Sequence, residues 1–365
     1  MQEGTGNRSS ALSFYPAGVE FWRFYLNLFS NLKMIFDMKK TILCISAFII
    51  IACNATSKKA DTTAQDTLQT DSTTTVWDKQ YGGVDKSYDT QLLSLREKIA
   101  PRFQVFEFTD PKTGTKITYN LYTPQNIDPN QKYPLVMFIA DASTAGKGAK
   151  APLMQGYGGI IWATDESQAK NPAFVLVPAY ETRATSDEWE VSEQVVATPN
   201  LVRHVIENYP IDANRVYTTG QSMGGMISFY LNSIEPNLFT ASMFVGSQWD
   251  INVLNPLRKA KFIYIVSAGD PKASKGMAEV IAMMKQNGVK YGEIEFSAKL
   301  PQDQKNQIVS ELLAQGNKIN FIRFESSTVL PPQGTTMKAG EHMYSFDYAY
   351  LLTPAREWLF EQRKK

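Results

Sequence analysis

Short runs of mostly apolar residues recur along the chain at Leu135–Ala140, Phe174–Val177, Val216–Thr219, Ala241–Val245, Phe262–Val266 and Ile319–Phe324. They lack the polar alternation of a strand with one wet face. A strand apolar at successive positions must be covered on both faces, which is the condition of a parallel sheet. Helical patterns separate the runs. One is expected to start at Thr198-Pro199, a cap followed by proline, and carries Leu201, Val202, Val205, Ile206 and Tyr209 on one face. Others are expected over Gly225–Ile234, Ser274–Asn287 and Gln302–Gln315, and a last one from Thr353-Pro354 presents Trp358 and Leu359. Upstream, Phe103–Phe108 and Lys116–Tyr122 alternate polar and apolar around Asp110-Pro111-Lys112-Thr113-Gly114, the signature of a hairpin. The expected fold class is therefore α/β: a mostly parallel central sheet with an antiparallel N-terminal hairpin and helices on both faces.

Charge and cysteine usage remove several function classes. With 37 Lys+Arg against 36 Asp+Glu the chain carries no basic stripe suited to duplex nucleic acid, and no nucleic-acid partner is expected. Two Cys and two His cannot build a tetrahedral zinc site from soft ligands, and no metal or cofactor is expected. Both cysteines, Cys44 and Cys53, fall in one N-terminal segment, so no disulfide framework is expected. From Met38 that segment reads as a signal peptide, with Lys39 and Lys40 ahead of an 11-residue apolar stretch, Ile42 to Ala52. As a helix it would be about 16 Å long, too short to span a bilayer. Ile50-Ile51-Ala52-Cys53 resembles a bacterial lipobox, which makes Cys53 the expected lipidation site and the membrane an expected partner. The expected organisation is a leader over residues 1–37 preceding the true start at Met38, a lipoprotein signal peptide over 38–52, and a flexible Ser/Thr-rich tether over 53–75. A single globular domain then occupies 76–365, with its core at about 101–365. The mature protein is expected to be a membrane-anchored lipoprotein on an extracytoplasmic face, periplasmic or at the cell surface.

One pentapeptide carries chemistry. Gly220-Gln221-Ser222-Met223-Gly224 fits the pattern G-x-S-x-G, follows the strand-like Val216–Thr219 and opens a helical pattern. Such a turn exposes the serine oxygen on a strained backbone, and side chains at the flanking positions would collide with strand and helix. A serine nucleophile needs a base. His204 lies about 130° from the apolar stripe of its helix and reads as a surface residue. His342 sits in a polar stretch, Lys338-Ala339-Gly340-Glu341-His342, expected to be a loop between the last strand and the final helix, and is the favoured base. Asp270, in the turn after Phe262–Val266, is the favoured carboxylate to orient it, with Asp250 as runner-up.

Tyr217–Met226 (YTTGQSMGGM), Gln155–Ala163 (QGYGGIIWA), Ala241–Asp250 (ASMFVGSQWD) and Ala355–Phe360 (AREWLF) together resemble the secreted predicted-peptidase/esterase branch of the α/β-hydrolases. That branch is related to prolyl-oligopeptidase-like and feruloyl-esterase-like serine hydrolases. The resemblance covers roughly Tyr133 to the C-terminus. It implies a triad of Ser222, Asp270 and His342, an oxyanion donor from the backbone of Met223, and a second donor near Ala142. The chain departs from its relatives at Ala140-Asp141, where His-Gly is usual. A carboxylate there would oppose an oxyanion unless it turns outward, to pair with Lys147 or to cap the loop. Gln221, Trp249 and Tyr157 are candidate pocket residues, and Trp162 and Trp189 could join an aromatic wall.

These features imply a lipid-anchored serine hydrolase cleaving a carboxylic ester through a Ser222 acyl-enzyme, its substrate a small molecule, glycan ester or peptide. A prolyl-oligopeptidase-like peptidase is the alternative within the same chemistry. An inactive hydrolase fold serving as a binding lipoprotein is the alternative outside it.

Overall fold

The apolar runs assemble into one nine-stranded sheet in a computed structural model that describes residues 77–364. The leader, signal, tether and Cys53 lie outside the described residues. The strands are β1 (Gln104–Thr109), β2 (Lys116–Tyr122), β3 (Tyr133–Ile139), β4 (Phe174–Ala179), β5 (Ile211–Gln221), β6 (Ala241–Val245), β7 (Phe262–Ser267), β8 (Gly292–Phe296) and β9 (Ile319–Phe324). Their spatial order is β1-β2-β4-β3-β5-β6-β7-β9-β8. The β1–β2 and β2–β4 pairings are antiparallel, as the upstream hairpin predicts, and every other pairing is parallel. The longer helices are α1 (Thr90–Ile99), α2 (Glu193–Asn208), α3 (Met223–Ile234), α4 (Pro271–Gln286), α5 (Gln302–Leu313), α6 (Gly340–Tyr350) and α7 (Thr353–Glu361).

The residues of β3 show why its run is apolar throughout. Val136 and Phe138 join a core cluster with Leu352, Trp358 and Leu359, at and beyond the end of α6. Leu135, Met137 and Ile139 face the other way, onto Val195, Leu201, Val202 and Val205 of α2 and Ile227 of α3. All of these side chains are buried. Each contributes roughly 1.5–3 kcal/mol on leaving water, so both faces of the sheet are strongly committed.

Besides α3, which starts two residues before the expected Gly225, local structure differs from expectation in three places. First, Thr198-Pro199 lies inside α2, which starts at Glu193 after Ser192, whose hydroxyl accepts from the Val195 N–H at 3.4 Å. A mid-helix proline costs about 3 kcal/mol, and the buried Val195, Leu201, Val202 and Val205 around it offset that cost. Second, α4 starts at Pro271, not Ser274, because Asp270 caps it. Third, the polar stretch around His342 is not a loop. Gly340-Glu341-His342 is the first turn of α6, whose buried Tyr344, Phe346 and Tyr350 hold it against the sheet. The strand β8 was not expected either. It is an edge strand with exposed Glu293 and Glu295, and its residues alternate in burial.

Candidate active site

The nucleophile turn is built from backbone. β5 ends at Gln221 and α3 begins at Met223, which leaves Ser222 alone to reverse the chain at φ 52° and ψ −121°. A non-glycine residue held there costs on the order of 1–3 kcal/mol, so its surroundings must over-determine it. They do. The Ser222 N–H donates to Val245 O of β6 at 3.0 Å, and the Met226 N–H donates to Ser222 O at 2.9 Å. Glycine is required at Gly224, where a Cβ would lie 1.9 Å from Ile139 O, and at Gly220, where it would lie 2.3 Å from Gly224 O. The same contact at Gly224 presses the end of β3 onto the start of α3, which sets the segment after β3 beside Ser222.

His342 reaches Ser222 from the first turn of α6. Its Nε2 is 2.8 Å from Ser222 Oγ and its Nδ1 is 2.5 Å from Asp270 Oδ2. The ring packs edge-on against Phe346, one turn further along the same helix. Asp270 is 3% exposed and held twice, by the imidazole and by the Ala273 N–H at 3.2 Å, so one carboxylate caps α4 and orients the ring. A serine oxygen beside an imidazole that is itself held by a buried carboxylate can lose its proton to Nε2 as it attacks a carbonyl. The carboxylate stabilises the imidazolium that results.

The structure separates the competing candidates from this chain. Asp250 caps the short helical turn Ile251–Val253, accepting from the N–H and the side-chain amide of Asn252. His204 packs at a tilt against Phe108, with a centroid distance of 5.2 Å, and its imidazole Nδ1 is 3.3 Å from the side-chain amide of Asn208.

Ser222, Met223, Ala142 and His342 line one cavity of about 370 Å³. Met223 opens α3, and Ala142 opens a short helical turn after β3. Backbone N–H groups in the first turn of a helix have no acceptor within it, so both are suited to an oxyanion at this point. The Asp141 carboxylate does not line the cavity. It is 2% exposed, and it does not pair with Lys147, whose ammonium donates to Lys79 O at 3.4 Å. Asp141 caps its loop by accepting from Ser143 N at 2.7 Å. It also accepts from the amide of Gln155 and, at 3.4 Å, from that of Gln221. The carboxylate is turned inward, but into a set of donors and away from the reacting centre.

Gln221 and Tyr157 are therefore corrected as pocket residues. Gln221 is 1% exposed and donates to Gln155 Oε1 at 3.1 Å. Tyr157 is 1% exposed, and its hydroxyl donates to the Asp89 carboxylate at 3.1 Å. Burial and the Asp89 charge push its pKa far above the usual phenol range. Trp162 is likewise buried, donating to Gly158 O at 2.9 Å. Trp249 and Trp189 meet edge to face at 5.4 Å and line a neighbouring depression, not the cavity at Ser222.

Sequence reading missed one side chain at the site, Glu341. Its carboxylate accepts from Ser267 Oγ at 2.5 Å and from the N–H of Ser327, and so ties the first turn of α6 to the ends of β7 and β9. Its only sequence signal is adjacency to His342. No group of His, Cys, Asp and Glu suited to hold a metal occurs among the described residues.

Residues 111–260 match the family model described as "Putative esterase". Among solved structures, a thermostable esterase superposes with a TM-score of 0.56 at 24% identity, covering 73% of this chain and 64% of that one. The chain has the α/β-hydrolase fold. Within that fold it is 29% identical over 150 residues to acetylxylan esterase A of Emericella nidulans, a match covering 38% of this chain and 44% of the relative. The chain thus matches less than half the length of that curated relative. A ferulic acid esterase of Anaeromyces mucronatus superposes with a TM-score of 0.41 at 12% identity, covering 69% of this chain and 89% of that one.

Proposed function

We propose that this α/β-hydrolase is a serine esterase. In this reading Ser222 attacks the carbonyl of a carboxylic ester, and His342 takes the serine proton and returns it to the departing alcohol. Water, activated by the same imidazole, then releases the acyl group as an acid. Asp270 orients His342, and the N–H groups of Met223 and Ala142 stabilise the oxyanion. The observation that carries the reading is the continuous chain Ser222 Oγ, His342 Nε2, His342 Nδ1, Asp270 Oδ2, opening on a cavity that Met223 and Ala142 also line. The match of residues 111–260 to an esterase family supports an ester over a peptide bond, and the acetylxylan esterase relative supports a small acyl group on a glycan.

The sequence around Cys53 supports a further part of the proposal, that the enzyme works outside the cytoplasm from a lipidated Cys53 on a tether. Intact mass of the membrane-extracted protein should give a chain beginning at diacylated Cys53; a soluble product retaining residues 1–37 overturns that part. For the chemistry, a fluorophosphonate probe should label the wild-type protein and not Ser222→Ala. Short acetyl esters should turn over while peptide amides of similar size do not. Absence of labelling on folded protein would favour a binding protein on the same fold.

A further inference from the structure

The charged side chains around the catalytic cavity sum to zero, but their hydrogen-bonding capacity is unevenly taken. Six charged side chains line it: Arg183, Asp187, Asp270, Lys272, Lys338 and Glu341. Asp270 is engaged by His342, and Asp187 is engaged by Lys272 at 2.7 Å. Glu341 turns its oxygens away, to Ser267, Ser326 and Ser327. The two that remain are both cations. Arg183 is exposed and fixed only through Nε, which donates to Thr185 O at 3.1 Å, so its two terminal nitrogens have no partner among the described residues. Lys338 is exposed, precedes α6 and makes no ion pair among the described residues. The cations stand on different walls. Arg183 adjoins Ala184, whose N–H meets Met223 Sδ at 3.3 Å on the oxyanion side, whereas Lys338 lies four residues before His342 on the side from which an alcohol departs.

We propose that the cavity selects esters bearing a carboxylate near the scissile bond, held by Arg183 and Lys338. This inference rests on the esterase reading and names its substrate class. A guanidinium anchored through Nε offers its remaining fork to the two oxygens of a carboxylate, and a lysine supplies a mobile second charge. Both groups are partly hydrated, so the preference is moderate and sensitive to salt.

The test compares ester pairs that differ in one charge, each rate normalised to that with hydroxide. On the alcohol side the pair is 4-acetoxybenzoate and 4-acetoxybenzamide. On the acyl side it is the 4-nitrophenyl esters of 4-carboxybenzoic and 4-carbamoylbenzoic acids. The carboxylate member of at least one pair should be favoured about tenfold in kcat/KM at low salt, and the ratio should shrink toward one at ~0.5 M NaCl. The pair that responds identifies the side of the bond that carries the charge. Arg183→Ala or Lys338→Ala should lower the ratio by about threefold, and Arg183→Glu should invert it. Turnover of the neutral esters with no preference in either pair overturns the inference and leaves the esterase reading intact. If no ester turns over, the esterase reading fails, and calorimetry on full-length Ser222→Ala decides the inference alone. Tighter binding of the carboxylate than of the amide sustains it, and equal binding overturns it.

Discussion

The two sides of the oxyanion site are held by different means. On the Ser222 side, geometry follows from backbone: one residue with a positive φ, bracketed by glycines whose absent Cβ atoms let β3, β5 and α3 touch. On the Ala142 side, geometry follows from side chains that come from elsewhere. Asp141 caps the turn, Gln155 and Gln221 donate to Asp141, and Ser143 Oγ accepts from the amide of Gln155 at 2.9 Å and from the N–H of Gly83 at 2.7 Å. A locally built element tolerates loss of any one distant partner, whereas a network of buried polar groups weakens as soon as one member leaves another unsatisfied.

The scale for breaking either side is set by the base they share. His342→Ala should lower kcat by at least ~10³, since the serine oxygen loses its proton acceptor. His204→Ala should stay within about twofold of wild type, because its imidazole meets Phe108 and Asn208 and takes no part in the Ser222–His342–Asp270 chain. Similar losses in both variants on folded protein would dissolve the site as described.

Gly224→Ala probes the backbone side. With the new Cβ 1.9 Å from Ile139 O, either β3 or α3 must move, and neither contact ends in a flexible side chain. Stability should fall by about 3 kcal/mol or more in denaturant titration, and activity should fall with it. A variant with wild-type stability would mean that the elbow is far softer than its glycines imply.

This contrast also marks what the sequence could reveal. The strands β3, β4, β5, β6, β7 and β9 were legible because burial on both faces leaves a continuous apolar run. The edge strand β8 was not, because Glu293 and Glu295 face solvent and interrupt the pattern. Ser222 was legible through its glycines, and Asp270 through its place at a strand end. The first turn of α6 was hidden because its cohesion comes from Tyr344, Phe346 and Tyr350, downstream of the polar residues that suggested a loop. Gln155, Gln221 and Glu341 carry no local signature at all. Their roles arise from hydrogen bonds to residues remote in sequence, such as Gln221 to Gln155 and Glu341 to Ser267.

Asp141→Asn probes the side-chain half of the comparison. Replacing one carboxylate oxygen by an NH₂ places a donor against the amides of Gln155 and Gln221, or forfeits the cap on Ser143, depending on the rotamer. An unsatisfied buried polar group costs about 1–3 kcal/mol, and here part of that cost falls on the position of the Ala142 N–H. The expected result is a kcat lowered about tenfold with KM nearly unchanged. Gln155→Ala should act in the same direction. A rise in kcat would show instead that the carboxylate opposes the oxyanion electrostatically, and the inward donors would then be insufficient to neutralise it.

The smallest effect should come from Glu341, which couples the two kinds of construction by tying the base-bearing turn to β7 and β9. Glu341→Gln keeps the length and one acceptor oxygen, so either the Ser267 hydroxyl or the Ser327 N–H retains a partner while the other faces an amide donor. The removed charge also sits in the first turn of α6, where an acidic residue is favourable by a few tenths of a kcal/mol to about 1 kcal/mol. His342 should therefore sample a wider range of positions without losing its contact to Asp270. We expect kcat to fall about threefold, KM to hold, and Tm to drop by a few degrees. Glu341→Ala should fall further in kcat and Glu341→Asp should lie between wild type and Glu341→Ala. If all three variants lose Tm but keep kcat, the carboxylate holds the fold and does not position the imidazole.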